Sequence, residues 1–143
     1  MKQINPLITI LLLLTFLSCA PLEIKQEEID PWLISISGNQ QAEINVEGIW
    51  HDPDSLTAKG FIFTGWGKGH IYQDGNKLSG AIGSYNVRGI VSVKTVFLVF
   101  YSGGSVYYTA RMEMVEKGVL EGQYFDADDR EQKAGYPTKL LIK

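Results

Sequence analysis

The 143 residues contain one cysteine, Cys19, so an internal disulfide is excluded and any folded domain must rest on its own core. Histidine is nearly as scarce: His51 and His70 stand far apart and match no zinc-site spacing. Proline is missing between Pro53 and Pro137, a stretch in which it would delete ladder hydrogen bonds from a sheet. Basic side chains form no stripe and the net charge is −3, so nucleic acid is not an expected partner. No helical period persists over three turns, and no Gly-x-Ser-x-Gly elbow occurs.

What is present falls into two parts. Lys2 and the chain amine precede an apolar run from Leu7 to Leu17, interrupted only by Thr9 and Thr15, and small Ser18 follows. These are the three regions of a secretory signal over residues 1–18. The apolar stretch is shorter than the roughly 20 residues of a membrane-spanning helix. Phe16-Leu17-Ser18-Cys19 resembles the lipobox of bacterial lipoproteins, with Phe16 standing where that family has an aliphatic residue. The resemblance implies cleavage before Cys19, diacylglyceryl attachment to its sulfur and acylation of the new amine, palmitate being a typical chain. One acyl chain anchors marginally, at about 0.8 kcal/mol per buried methylene, whereas two or more hold stably. The plainer alternative is an ordinary cleaved signal leaving a free thiol. The expected address is the cell envelope, lipid-anchored on the periplasmic side. Ala20 leaves inner and outer membrane both open.

Residues 19–41 read as a lipidated N-terminus, a polar acidic tether with at most a turn of helix, and an outlying strand over "WLISIS", closed by Gly38-Asn39. Residues 42–143 read as one β domain. All fifteen glycines lie at or after position 38, where they serve turns and bends. Expected strands are Ile44–Trp50, "GFIFTGW" with Phe61 and Phe63, "GHIYQ", "KLSGAIG", "VRGIVS", "TVFLVFYS", "SVYYTARMEMV", "VLEGQYF" and "KLLIK". "ARMEMVEKG" would also form a short helix, but its strict alternation favours strand. Gly103-Gly104 is the signature of a two-residue hairpin. Eight or so short strands with short turns predict an all-β fold, a small antiparallel up-and-down β-barrel, which leaves no exposed edge. Gly48-Ile49-Trp50 resembles the opening strand of lipocalin-like (calycin) barrels, a likeness implying that Trp50 closes one end of the barrel. Lys139 and Lys143 add a basic last strand.

Catalytic chemistry has little to stand on. "HDPD" (His51, Asp52, Asp54) reads as a turn, "DADDRE" (Asp126–Glu131) as a solvated loop, and "GWGKG" (Gly65–Gly69) as packing of Trp66 rather than a phosphate loop. No catalytic residue, metal or cofactor is expected. Trp50, Tyr72, Tyr85, Tyr108 and Met112 are the candidates for a ligand cavity or an interface, since tyrosine combines apolar area with a polar tip. The leading expectation is non-catalytic binding of a small apolar or amphipathic molecule inside the barrel; the alternative is an interaction module docking an envelope or membrane protein complex from outside. Interior volume separates them, because an eight-stranded barrel is just wide enough for side chains to fill or for one small ligand. "VFLVFY" is apolar on both faces, so its outer face (Phe97, Val99, Tyr101) needs a cover.

Overall fold

A computed structural model describes residues 22–53 and 65–143. Eight antiparallel strands close into one up-and-down barrel in sequence order. They are β1 (Gly48–His51), β2 (Lys68–Asp74), β3 (Lys77–Ile82), β4 (Tyr85–Ser92), β5 (Thr95–Ser102), β6 (Ser105–Glu116), β7 (Val119–Asp126) and β8 (Tyr136–Ile142). β1 pairs with β8 through Trp50–Ile142 and His51–Leu141, which completes the closure. "ARMEMV" belongs to β6 and is strand throughout. Asp54, Ser55 and the strand expected at Phe61 and Phe63 lie outside the described residues.

The outlying strand expected over residues 32–37 is instead helical. A 3-10 turn (Gln26–Glu28) leads into α1 (Ile29–Ser37). The alternation of Trp32, Ile34 and Ile36 misled; the pattern that decides is Ile29, Trp32, Leu33 and Ile36, a stripe of helical spacing. Ile29, Trp32 and Leu33 are buried on the barrel while Ile34 is exposed. Pro31 is tolerated because it falls in the first turn, where its missing N–H has no acceptor. Gly38 ends the helix in the left-handed conformation (φ 73°), its N–H donating to the Ile34 carbonyl at 3.2 Å.

Two hydrophobic cores result. The barrel interior holds Trp50, Trp66, Ile71, Leu78, Ile82, Leu98, Phe100, Met112, Leu120 and Leu140 among others. The second core lies between α1 and the outer wall, where Ile29, Trp32 and Leu33 meet Ile90, Phe97 and Val99. The cover that "VFLVFY" requires is therefore supplied by the chain's own helix. β1 is shorter than expected: Ile44 and Val46 precede it as irregular chain and pack against the interior core from one end of the barrel.

The β5–β6 hairpin turns on Gly103 and Gly104 (φ 58° and 85°), with Ser102 opposite Ser105. Both angles are positive, as a type I′ turn demands. A bulge at Tyr107 lets Phe100 face Tyr108 and Tyr101 face Val106. Val106 is therefore carried to the outer core under α1, although simple alternation puts it inside with Tyr108. Replacing both glycines by valine places β-branched residues at positive φ, at on the order of 1–3 kcal/mol each. Urea unfolding of a chain lacking residues 1–19 should show a clearly lowered midpoint; a wild-type midpoint would contradict the tight turn.

Candidate functional site: the aromatic end of the barrel

In an up-and-down barrel successive connections alternate between the two ends. The β1–β2, β3–β4, β5–β6 and β7–β8 connections share one end, which gathers Trp66, Tyr85, Phe100, Tyr107, Tyr108, Tyr124 and Tyr136. Trp66 sits at its centre. Its ring stacks on Phe100 with centroids 4.1 Å apart and 12° between planes. Tyr85, Tyr108 and Tyr124 each meet it edge-on, at 6.0, 5.4 and 5.3 Å. Such edge-to-face contacts suit the ring quadrupoles and add stabilisation beyond burial. Trp66 Nε1–H donates to Thr138 Oγ1 at 2.9 Å. Its backbone N–H donates to the buried Asp52 carboxylate at 3.0 Å, and the Asp52 N–H donates to the Gly67 carbonyl. "HDPD" thus supplies a carboxylate that pins the Trp66 segment, a role the sequence reading missed.

A second, outer ring surrounds this plug. Tyr136 lies 5.2 Å from Tyr124, and Tyr107 lies 5.8 Å from Tyr85. Tyr107 and Tyr136 are 48% and 50% exposed, so this end presents hydroxyl-bearing aromatic surface outward. Burial, and then the neighbouring phenols, push Tyr85 and Tyr124 above the usual tyrosine range. Both hydroxyls therefore stay protonated at neutral pH.

The opposite end is shut by the chain entering β1. Trp50 Nε1–H donates to the Val46 carbonyl at 2.7 Å, and Gln73 holds the same segment by accepting from the Val46 N–H and donating to the Ile44 carbonyl.

The five candidate residues are consequently not one site. Trp50 and Met112 are buried in the interior. Tyr85 and Tyr108 join the aromatic end. Tyr72 is 54% exposed on the outer wall, stacked on His70 at 4.3 Å, with Ile49 opposite His70. A recess of about 320 Å³ lies outside the barrel between α1 and β3–β4, where Leu33, Ile34, Arg88 and Ile90 line it.

"DADDRE" proves more ordered than a solvated loop. The Asp129 carboxylate accepts the N–H groups of Lys133 (3.0 Å) and Ala134 (2.9 Å), and the buried Gln132 donates to Thr109. The loop also grips the N-terminal segment. Trp32 Nε1–H donates to the Arg130 carbonyl, the Arg130 guanidinium meets Glu28 at 3.4 Å, and the Ile24 N–H donates to the Ala127 carbonyl.

These contacts have a pH signature. Backbone N–H donors hold the Asp129 and Glu28 carboxyls below the usual carboxylate range. What they contribute is complete above the unfolded carboxylate pKa of about 4 and is lost as pH falls through the lower folded values. Tyr85 and Tyr124 act oppositely, their contribution being lost as pH rises past about 10. Melting temperature against pH should therefore be flat between these limbs. Asp129→Asn should shrink the acid limb and Tyr124→Phe the alkaline one; unchanged limbs would contradict these assignments.

No protein-family model matches this chain, and no curated protein or solved structure matches it.

Proposed function

We propose that this chain is a lipid-anchored cell-envelope lipoprotein without catalytic activity, and that its barrel is an interaction module that docks an envelope or membrane protein complex. The observation that carries this reading is the occupied interior. Trp50, Phe100, Ile71, Leu98, Met112 and Leu120 fill the barrel at or below 1% exposure, and Trp66 covers them from the aromatic end. A carrier of small molecules needs a pocket of about 300 Å³ or more. Among the described residues, recesses of that size lie on the outer wall or open at the barrel's end, where they are lined by polar and charged as well as apolar residues. A filled barrel acts through its exterior, and the exposed Ile49, His70 and Tyr72 on the wall of β1 and β2 are where we place the contact. Aromatic anchors of this kind dominate protein interfaces.

Trp50 packed over the closed end is what the Gly-x-Trp likeness to lipocalin-like barrels implies, and it supports that architecture without supplying a cavity. The anchor reading rests on the lipobox-like residues Phe16 to Cys19.

Two measurements test the module. Native mass spectrometry of the purified protein should give the mass of the chain alone; a small molecule retained one-to-one would overturn the filled-barrel argument. A photo-crosslinking residue at Tyr72 in cells should yield a discrete protein adduct that is missing when the same residue replaces Glu113. Equal or absent adducts at both positions would overturn the placement.

A further inference from the structure

We propose that the aromatic end of the barrel is its membrane-facing end, with Tyr107 and Tyr136 resting in the headgroup region of a phospholipid surface. The inference rests on the acylation of Cys19 and adds to it an orientation that acylation alone does not define.

The first observation is where the chain emerges. Ile24 is tied to Ala127, and Lys25 forms a bridge with Ser105. Ala127 lies in the β7–β8 connection and Ser105 opens β6 just after the β5–β6 turn, both at the aromatic end. From Ile24 back to Cys19 is five residues, which span at most roughly 17 Å when fully extended. The anchor therefore holds this end against the bilayer. The opposite end, about 20 Å further along the tilted strands, stays away from it.

The second observation is what this end displays. Leu22, three residues from the anchor, is 71% exposed, and Tyr107 and Tyr136 are half exposed at this end. Tyrosine is suited to the membrane–water interface, its ring in the apolar boundary and its hydroxyl in water.

A third observation concerns the wall, which carries Arg111 and Glu113 on β6 and a Lys139–Glu121 ion pair at 2.9 Å on β7 and β8. Such a wall is wrong for lying sideways in lipid. Glu23, Asp126 and Asp128 surround the exposed Tyr107. The matching surface is therefore zwitterionic rather than anionic. With this end on the membrane, the Ile49–His70–Tyr72 wall remains open to a protein partner.

Acylation occupies the Cys19 sulfur, so one introduced cysteine becomes the sole free thiol of the full-length protein. Tyr107→Cys, Tyr136→Cys and Lys117→Cys, the last in the turn at the far end, would each be labelled with an environment-sensitive fluorophore. The labelled proteins are then reconstituted into phosphatidylcholine vesicles doped with a headgroup nitroxide lipid. The labels at 107 and 136 should be quenched several-fold more than the label at 117. Equal quenching, or stronger quenching at 117, would overturn the orientation. Intact mass of the same samples separates the two readings. An unacylated chain removes the anchor and the orientation with it, whereas an acylated chain with unquenched tyrosine-site labels removes the orientation alone.

Discussion

Trp66→Ala is expected to cost about 3–5 kcal/mol, the range for truncating a large buried aromatic side chain. The loss combines several changes. Burial of the indole disappears, as do its stack on Phe100 and three edge contacts with Tyr85, Tyr108 and Tyr124. Thr138 Oγ1 also loses the indole N–H as a donor. Unlike a surface aromatic, Trp66 is 3% exposed, and the four rings around it, Tyr85, Phe100, Tyr108 and Tyr124, are fixed on four different strands that cannot collapse inward together. A cavity lined by aromatic rings should remain, and apolar cavities of this kind stay dry and accept small aromatic molecules. Indole added at millimolar concentration should therefore recover part of the lost melting temperature, and Trp66→Phe should fall between the two. A Trp66→Ala protein that unfolds at the wild-type urea midpoint would show that Trp66 is not the plug. Loss of stability without rescue by indole would mean that the end collapses.

Cys19→Ala should change location rather than stability. On the proposed lipoprotein reading it removes the sulfur that would carry the diacylglyceryl group, and with it the subsequent cleavage. The protein should fail to incorporate labelled palmitate, and should either leave the membrane fraction or accumulate as the uncleaved precursor. The effect is close to all-or-none because two or more acyl chains hold a protein stably while none leaves only weak interfacial contact. Unchanged gel mobility together with unchanged membrane association would remove the lipoprotein reading. The melting temperature of the soluble domain should stay the same.

Much of the barrel was readable from residue order. The alternation of Tyr108, Ala110, Met112 and Met114 with Thr109, Arg111 and Glu113 specifies β6, because a strand's side chains face opposite sides in turn. Gly103-Gly104 specifies its hairpin, since positive φ at two successive residues is easy only for glycine and a few polar side chains. The absence of cysteine from the domain and of proline between Pro53 and Pro137 likewise pointed to a sheet standing on its own core. These are local signals, carried by neighbours in sequence.

Other features depend on partners distant in sequence. Residues 29–37 satisfy both a strand-like and a helical pattern. Helix prevails because the outer face of β5 offers an apolar surface that the stripe Ile29, Trp32, Leu33 and Ile36 fits, and because the Arg130 carbonyl accepts the Trp32 indole N–H. The bulge at Tyr107 is equally invisible locally, yet it reverses the side on which Val106 lies. Asp52 reads as a turn residue until the fold brings Trp66 beside it. The same holds for function. The sequence by itself determined the lipobox-like residues Phe16 to Cys19, the strand pattern and the supply of tyrosines, since each is written in adjacent residues. Only the tertiary structure decided that the interior is occupied, that Tyr85, Tyr107, Tyr108, Tyr124 and Tyr136 share one end, and that Ile24 and Lys25 are tied to that same end. Closing eight strands into a barrel sets these distances, and no short window of sequence contains them.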